Sequence, residues 1–465
     1  MATLAFDREK TYQTIESFGV SGAWWAQTVG GWTEPDGESG LAKRERVAQL
    51  LFDREKGIGV TCYRYNLGSG SKNSGKGRYD KPSRRAESFD DGPRYDWSRD
   101  QNAVWFLKRA AEYGVRDLVL FVNSPPESMT KNGLGYQSRA GETNLARRDY
   151  RRFANYVLDV AEHFMAEGIP VRYISPVNEP VWFWTERQEG CHYRPWQVRG
   201  VMRAFAEEMN ARPAMREVLL SGAENGDVRW FNKTYCRVML GDPVVRARIN
   251  AIDTHSYCLT PNIPVLKNLL SDRVGYLRRY RRFMDRWYPG VPLRTSEWTH
   301  MRGGRDSGMD SALVQALVMA EDLAILNVVS WQNWIAVSDS DYCDGLLYEY
   351  DDERRFEVTK RYYAFGNFSK FIVPGSVRIR AGSDDGALTV LGFALPTGTA
   401  FVIVNPTHGE KVLTFPQSLG AGQKYTTSAD ENLTATEAEG GCTLPARSVV
   451  TLVFPDKREE AATCS

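Results

Sequence analysis

Val171-Arg172-Tyr173-Ile174-Ser175-Pro176-Val177-Asn178-Glu179-Pro180 decides how the rest of the chain is read. An extended run delivers an Asn-Glu pair and then meets proline. Proline has no N–H to give to a sheet ladder, so Asn178 and Glu179 are predicted to sit where a strand ends. The stretch before it is helical in pattern. Across residues 146–167, Phe153, Val157, Ala161 and Phe164 fall on one face, and Gly168 and Pro170 close the helix. The same motif recurs far downstream, where Val291-Pro292-Leu293-Arg294-Thr295-Ser296 runs into Glu297-Trp298.

Working outward, strand and helix patterns alternate. Strands are predicted over residues 18–25, 57–66, 117–123, 171–174, 218–223, 249–255, 291–296 and 327–331. Helices are predicted between them. One covers 41–56, with Val47, Leu50 and Leu51 on one side. Another opens on a capping box of Ser98 and Gln101, carries Val104, Leu107 and Ala111 as its inner stripe, and stops at Gly114. A third covers 312–326. Eight such units predict an α/β fold, a (β/α)8 TIM barrel over residues 17–374. In that architecture function gathers at the carboxyl ends of the strands. Arg64, Asn123, Glu179, His255, Glu297 and Trp331 all fall at such ends. Residues 67–97 are rich in Gly, Ser and Arg and carry no period, which predicts a functional or mobile connection. After Gly375 short β runs alternate with Gly, Asn and Asp turns, as a β-sandwich over 375–457 requires. A charged, frayed tail is expected over 458–465.

The totals exclude several classes. The 465 residues carry a net charge of +1, so no global field favours nucleic acid or a membrane surface. The run Arg278-Arg279-Tyr280-Arg281-Arg282 reads as a solvated helix face. No window is apolar enough to span a bilayer. Seven scattered cysteines include no Cys-x-x-Cys pair, so neither a disulfide framework nor a zinc site is expected. With no leader visible, that predicts reduced thiols in a cytoplasm, or secretion if a signal has been removed. No His-Glu-x-x-His occurs, and no glycine fingerprint sits between a strand and a helix. Gly68-Ser69-Gly70-Ser71-Lys72 lacks the full phosphate-loop spacing and is read as part of a cleft loop.

Two glutamates at strand ends, each beside tryptophan, imply one task for two carboxylates. Glycoside hydrolysis needs such a pair on opposite sides of one bond. The flanking Trp182, Trp184 and Trp298 suit a cleft that takes sugar rings.

The ordered set Phe18-Gly19 to Trp25, Arg64-Tyr65-Asn66, Asn123-Ser124-Pro125-Pro126, Val177-Asn178-Glu179-Pro180 and Glu297-Trp298 resembles glycoside hydrolase family 30. So does Tyr362-Tyr363-Ala364-Phe365-Gly366-Asn367-Phe368-Ser369-Lys370-Phe371-Ile372-Val373-Pro374-Gly375. The likeness covers nearly the whole chain. It implies that residues 1–16 add strands to the sandwich, and that Glu179 is acid/base and Glu297 nucleophile. Trp24-Trp25-Ala26 and Arg64-Tyr65-Asn66 look most like the family's β-1,6-galactanases. Residues 69–89 depart from that pattern, which leaves xylan or β-glucan open as substrate. A non-catalytic carbohydrate-binding protein is the alternative from another class.

On this reading Glu179 is protonated at rest. Glu297 is ionised and held so by Arg64 or Tyr257. Asn178 bonds a sugar 2-hydroxyl or merely forms the turn. Arg64 touches substrate or closes a structural ion pair. Asn123 is a candidate sugar contact. His255, with Tyr257, contacts sugar hydroxyls, orients Glu297, or is a satisfied core residue. Trp25, Trp182 and Trp331 stack on sugars or fill the core. Glu224, after the fifth strand, contacts substrate or supports the site. The partner is a carbohydrate, with no metal or cofactor required.

Overall fold

The computed structural model describes residues 1–229, 232–257 and 272–456. The expected tail over 458–465, and Cys258 and Cys464, lie outside the described residues. The chain forms two compact units. One comprises the described residues of 17–305 and 325–357, and the other those of 1–16, 306–324 and 358–456.

Strand β1 (Ala2–Thr14) belongs to the second unit. The first unit holds a closed parallel barrel of eight strands: β2 (Ser17–Ser21), β3 (Cys62–Asn66), β4 (Asp117–Phe121), β5 (Val171–Ser175), β6 (Leu219–Asn225), β7 (Ile249–His255), β8 (Leu293–Trp298) and β9 (Ser330–Asn333). The ring closes where β2 pairs with β9, Ser17 opposite Ser330. All eight predicted strands are present, with ends that differ by a few residues. The differences matter at β2, which stops at Ser21, and at β9, which runs on to Asn333. Inside the ring Arg294 donates two bonds to Asp253, at 2.7 and 2.9 Å, with both side chains almost wholly buried. A buried charge pair of this kind persists only when both partners are present.

The helix after β3 differs from expectation. It spans Gln101–Glu112, and no side chain caps it. Ser98 Oγ donates to Asp96 and Gln101 Nε2 donates to Trp97 O, so the predicted capping box does not form. The position before the helix is Asp100, with φ +53° and its carboxylate drawn inward by the Tyr65 hydroxyl at 2.5 Å. The helix expected over 312–326 is α-helical from Met309 to Glu321 and ends in a wider π turn, Asp322–Leu326. The basic run lies on the helix Arg273–Trp287. Tyr280 faces inward and Arg278, Arg279 and Arg282 face solvent.

In the second unit β1 pairs antiparallel with the strand Val377–Ser383 and parallel with the strand Lys411–Thr414. Ala2 and Leu4 thereby enter a core with Phe401, Ile403, Leu413, Leu444, Val450, Leu452 and Phe454. Phe401 and Ile403 alternate along the strand Gly398–Asn405, and Val450, Leu452 and Phe454 along Ser448–Pro455, as a period of two demands. The helix Lys360–Ser369 belongs to this unit, where Asn367 Nδ2 donates to Tyr425 O and Thr451 Oγ1, each at 3.0 Å. The described cysteines Cys62, Cys191, Cys236, Cys343 and Cys442 are free thiols. Among the described residues no helix is long and apolar enough to cross a membrane.

Candidate active site

Strand ends place the charged groups. Past β5 the chain turns so sharply that Glu179 adopts φ +43°, a region a non-glycine residue enters only when its surroundings hold it there. Two backbone bonds to the end of β6 do so: Glu179 N–H donates to Glu224 O (2.7 Å), and Glu224 N–H to Val177 O (3.3 Å). Gly226 lies alongside. A Cβ there would meet Trp182 Nε1 at 2.0 Å and Glu179 Oε1 at 2.7 Å, so only glycine lets the two segments approach. Glu297 arrives on β8 with no such turn.

Across the barrel mouth one imidazole joins the carboxylates. His255 Nδ1 is 2.8 Å from Glu179 Oε1 and 3.3 Å from Glu297 Oε1, and Nε2 is 3.0 Å from Glu224 Oε2. Arg64 completes the network, with Nη2 2.5 Å from Glu224 Oε2 and Nη1 3.3 Å from Glu297 Oε2. Tyr257 OH donates to Glu297 Oε1 at 3.2 Å. An oxygen of Glu179 and one of Glu297 lie within 4.8 Å of each other.

Charge is distributed unevenly over these groups. Burial opposes the charge of Glu224, but Arg64 and His255 outweigh it and bring the carboxyl down to about 2. Burial would likewise lower His255, yet the Glu297, Glu179 and Glu224 carboxylates raise it to about 10, so it is an imidazolium with two N–H donors. Burial pushes the Glu297 carboxyl up to about 7, and repulsion from Glu179 adds to that against the pull of His255 and Arg64. This differs from the expected permanently ionised Glu297. Three carboxylates face two fixed cations, so a single proton brings the cluster to neutrality.

The cleft over this network has a volume of about 870 Å³. Its lining includes Trp24, Trp182, Trp184, Trp334, Asn123 and Asn178. The side chain of Asn178 is fixed by a relay: Asn178 Nδ2 donates to Asn123 Oδ1 at 2.9 Å, and Asn123 Nδ2 to Asn66 Oδ1 at 3.2 Å. Asn178 Oδ1 is left without a protein partner.

The sequence model described as O-glycosyl hydrolase family 30 matches residues 1–348. The chain belongs to glycoside hydrolase family 30. An endo-β-1,6-galactanase of Hypocrea rufa is 28% identical over 250 residues, 48% of this chain and 49% of that protein, so the match spans about half of that relative's length. Among solved structures, a conserved exported protein from Bacteroides fragilis superposes with a TM-score of 0.84 at 23% identity, covering 97% of this chain and 100% of that one. The catalytic domain of a family 30 xylanase from Talaromyces cellulolyticus superposes with a TM-score of 0.73 at 18% identity, over 97% and 99% of the two chains.

Several expectations need correction in this family 30 chain. Trp25 does not reach the cleft. It is 1% exposed, its ring packs on Phe106 at 4.5 Å, and its Nε1 donates to Ser21 O. Trp331 is wholly buried against Trp298. Because β2 ends early, Trp24 turns (φ +70°) into the cleft instead, edge-on to Trp334 at 5.1 Å and with the Arg84 guanidinium 3.3 Å above its ring. Arg64, His255 and Glu224 are also wholly buried and do not line the cleft, so Arg64 and His255 act on the carboxylates and Glu224 holds those two cations, rather than touching a ligand. Trp182, Asn123, Asn178, Tyr257, Glu179 and Glu297 do line the cleft. Reading by strand periodicity missed Trp24, Trp334 and the loop residues Asp80, Lys81 and Arg84. For the loop, the missing period and the basic composition were the available signal. Gly68 to Lys72 is not a phosphate loop, since Ser69 and Ser71 donate their hydroxyls to the buried Glu189 carboxylate.

The donor set Glu179, His255 and Glu297 has the spacing of a metal site. Its chemistry argues otherwise. Both His255 nitrogens face carboxylates at hydrogen-bond distance, and the ring is a cation up to about pH 10, whereas a metal ligand must offer a lone pair.

Proposed function

We propose that this enzyme hydrolyses β-1,6-linked galactan or its oligosaccharides with retention of configuration. The observation that carries the chemistry is the pair Glu179 and Glu297, converging across the barrel mouth with oxygens within 4.8 Å. Retaining enzymes hold their carboxyls about 5–5.5 Å apart, whereas inverting ones leave about 6.5–9.5 Å for a water. The galactan reading is supported by the resemblance of Trp24-Trp25-Ala26 and Arg64-Tyr65-Asn66, and by the Hypocrea rufa relative.

In the proposed cycle Glu297 attacks the anomeric carbon while Glu179 gives its proton to the departing oxygen. Arg64 and Tyr257 orient the attacking carboxylate. The glycosyl unit is then esterified to Glu297. Glu179, now a carboxylate, takes a proton from water, and the hydroxide oxygen displaces Glu297 to restore the β-configuration. Asn178 Oδ1 accepts the sugar 2-hydroxyl, an interaction that strengthens as the ring flattens. His255, tied to Glu179, Glu297 and Glu224, keeps the two reacting groups in register.

The test is product analysis by mass and proton NMR on β-1,6-galactan, its debranched oligosaccharides, glucuronoxylan and β-1,6-glucan. Release of galactose or β-1,6-galactobiose in the β-configuration is expected. Cleavage of xylan or glucan instead would keep the two-glutamate mechanism and overturn the substrate. Binding without turnover on every glycan would favour a carbohydrate-binding protein.

A further inference from the structure

A second groove lies in the barrel unit between the starts of two helices, Tyr150–Ala166 and Pro195–Ala211. These helices follow β4 and β5, so their first turns stand at the carboxyl ends of the strands, on the face that carries Glu179. The groove has a volume of about 690 Å³. Trp196 lies in its wall with 56% of its surface exposed, unusual for so large an apolar ring. The Arg194 guanidinium sits 5.5 Å from that ring. Lys131, Arg147, Arg199 and Arg203 line the groove, against a single acid, Asp242, which Arg203 engages at 3.0 Å. Arg147 and Arg199 are exposed, and among the described residues no carboxylate pairs with them or with Lys131.

The catalytic cleft has the opposite balance, with six acidic side chains and three basic ones in its lining. An anionic sugar is disfavoured there and favoured at the groove. An exposed tryptophan beside unpaired guanidinium groups matches a ligand with an apolar ring face and a carboxylate.

We propose that this groove is a secondary glycan-binding site for uronate-bearing sugar units, with Trp196 as the stacking platform and Lys131, Arg147 and Arg199 as carboxylate partners. The proposal deepens the galactan reading and rests on it for the polymer. A chain with a neutral run in the cleft would be anchored through its acidic substituents at the groove.

The experiment is affinity electrophoresis of the full chain in native gels containing a glucuronate-bearing β-1,6-galactan, or the same polymer after reduction of its carboxyls. Retardation by the acidic polymer is expected, weaker in high salt, with apparent affinity reduced about tenfold in Trp196→Ala and again in Arg147→Ala/Arg199→Ala. Each variant should cleave neutral β-1,6-galactotriose with an unchanged kcat/KM. Equal retardation by the reduced polymer would overturn the proposal, and so would unaltered retardation of Trp196→Ala. A single-stranded oligonucleotide that is retarded alike with and without Trp196 would show a general anion patch, which also overturns it. Retardation is read without turnover. If galactotriose is not cleaved, the galactan activity fails while the groove is still judged on its own.

Discussion

At the residue scale, the proposed reacting pair, Glu179 and Glu297, differs in what surrounds each member. Glu297 accepts from Arg64 and Tyr257 and is the deeper of the two, whereas Glu179 sits on a strained turn at the cleft wall. Glu297→Gln should lower kcat by at least about 10³-fold on every substrate, since no nucleophile remains. Glu179→Gln should cost about 10²–10⁴-fold on galactan but far less on an aryl galactoside whose leaving group needs no proton. Adding azide to Glu179→Gln should yield a β-galactosyl azide by NMR. The pH profile follows from the shared proton. The active form holds one proton between Glu179 and Glu297, and with the Glu297 carboxyl raised to about 7 that proton is lost on the alkaline side. kcat/KM for galactan should therefore fall as pH rises through about 7. In Glu179→Gln the repulsion is gone, the Glu297 carboxyl moves down, and residual aryl-galactosidase activity should persist above that pH. A wild-type profile flat from pH 5 to 9 would refute the shared proton. Both glutamates were legible in the sequence as strand-end residues: the run into Asn178-Glu179-Pro180 must release its side chains where the strand stops, and Glu297 closes the extended run from Leu293. That His255 could orient Glu297 was also legible from its strand end, but its ties to Glu179 and Glu224 were not, since nothing near His255 in the chain announces those carboxylates.

At the element scale, which tryptophans meet ligand depends on where strands stop. β2 ends at Ser21 and the next residues turn, so neighbours Trp24 and Trp25 part company, one to the cleft and one to the core. Trp25→Ala should destabilise the fold by about 3–5 kcal/mol, read by chemical denaturation, as expected for a buried aromatic. Trp182→Ala should leave the unfolding midpoint nearly unchanged and raise KM. The reverse pattern would refute the assignment of cleft and core. The junction of the β5 and β6 ends is equally exacting. In Gly226→Ala the methyl group has no room beside Trp182 and Glu179, so kcat/KM should drop at least about tenfold while the far-ultraviolet circular dichroism stays that of the parent. An active Gly226→Ala would mean that the cleft wall gives way freely. These details escaped a periodic reading because alternation holds only while pairing continues, and a strand's last residue is its least certain.

At the scale of the whole molecule, β1 links the first residues of the chain to a sheet built almost entirely from the last hundred. It pairs with Val377–Ser383 along one edge and with Lys411–Thr414 along the other, and contributes Ala2 and Leu4 to the core. Removing residues 1–14 exposes two strand edges and opens that core, so soluble yield and the thermal midpoint should both fall. An unchanged melting curve would show that β1 is dispensable. The helices Met309–Glu321 and Lys360–Ser369 group with this sheet by packing, although they follow barrel strands in the chain. What the amino-acid order determined by itself was the eightfold strand–helix alternation, the change of texture after Gly375, and the positions of Glu179 and Glu297. Periodicity, prolines and glycines act on neighbours in the chain, so each of these signals is complete within a dozen residues. Only the tertiary structure decided that His255 bridges Glu179, Glu297 and Glu224, that Arg64 is buried beneath them, and that Trp24 rather than Trp25 faces the cleft. Those facts depend on closure of the barrel, which brings together groups from 31 to 233 residues apart, and on the residue at which each strand lets its backbone turn.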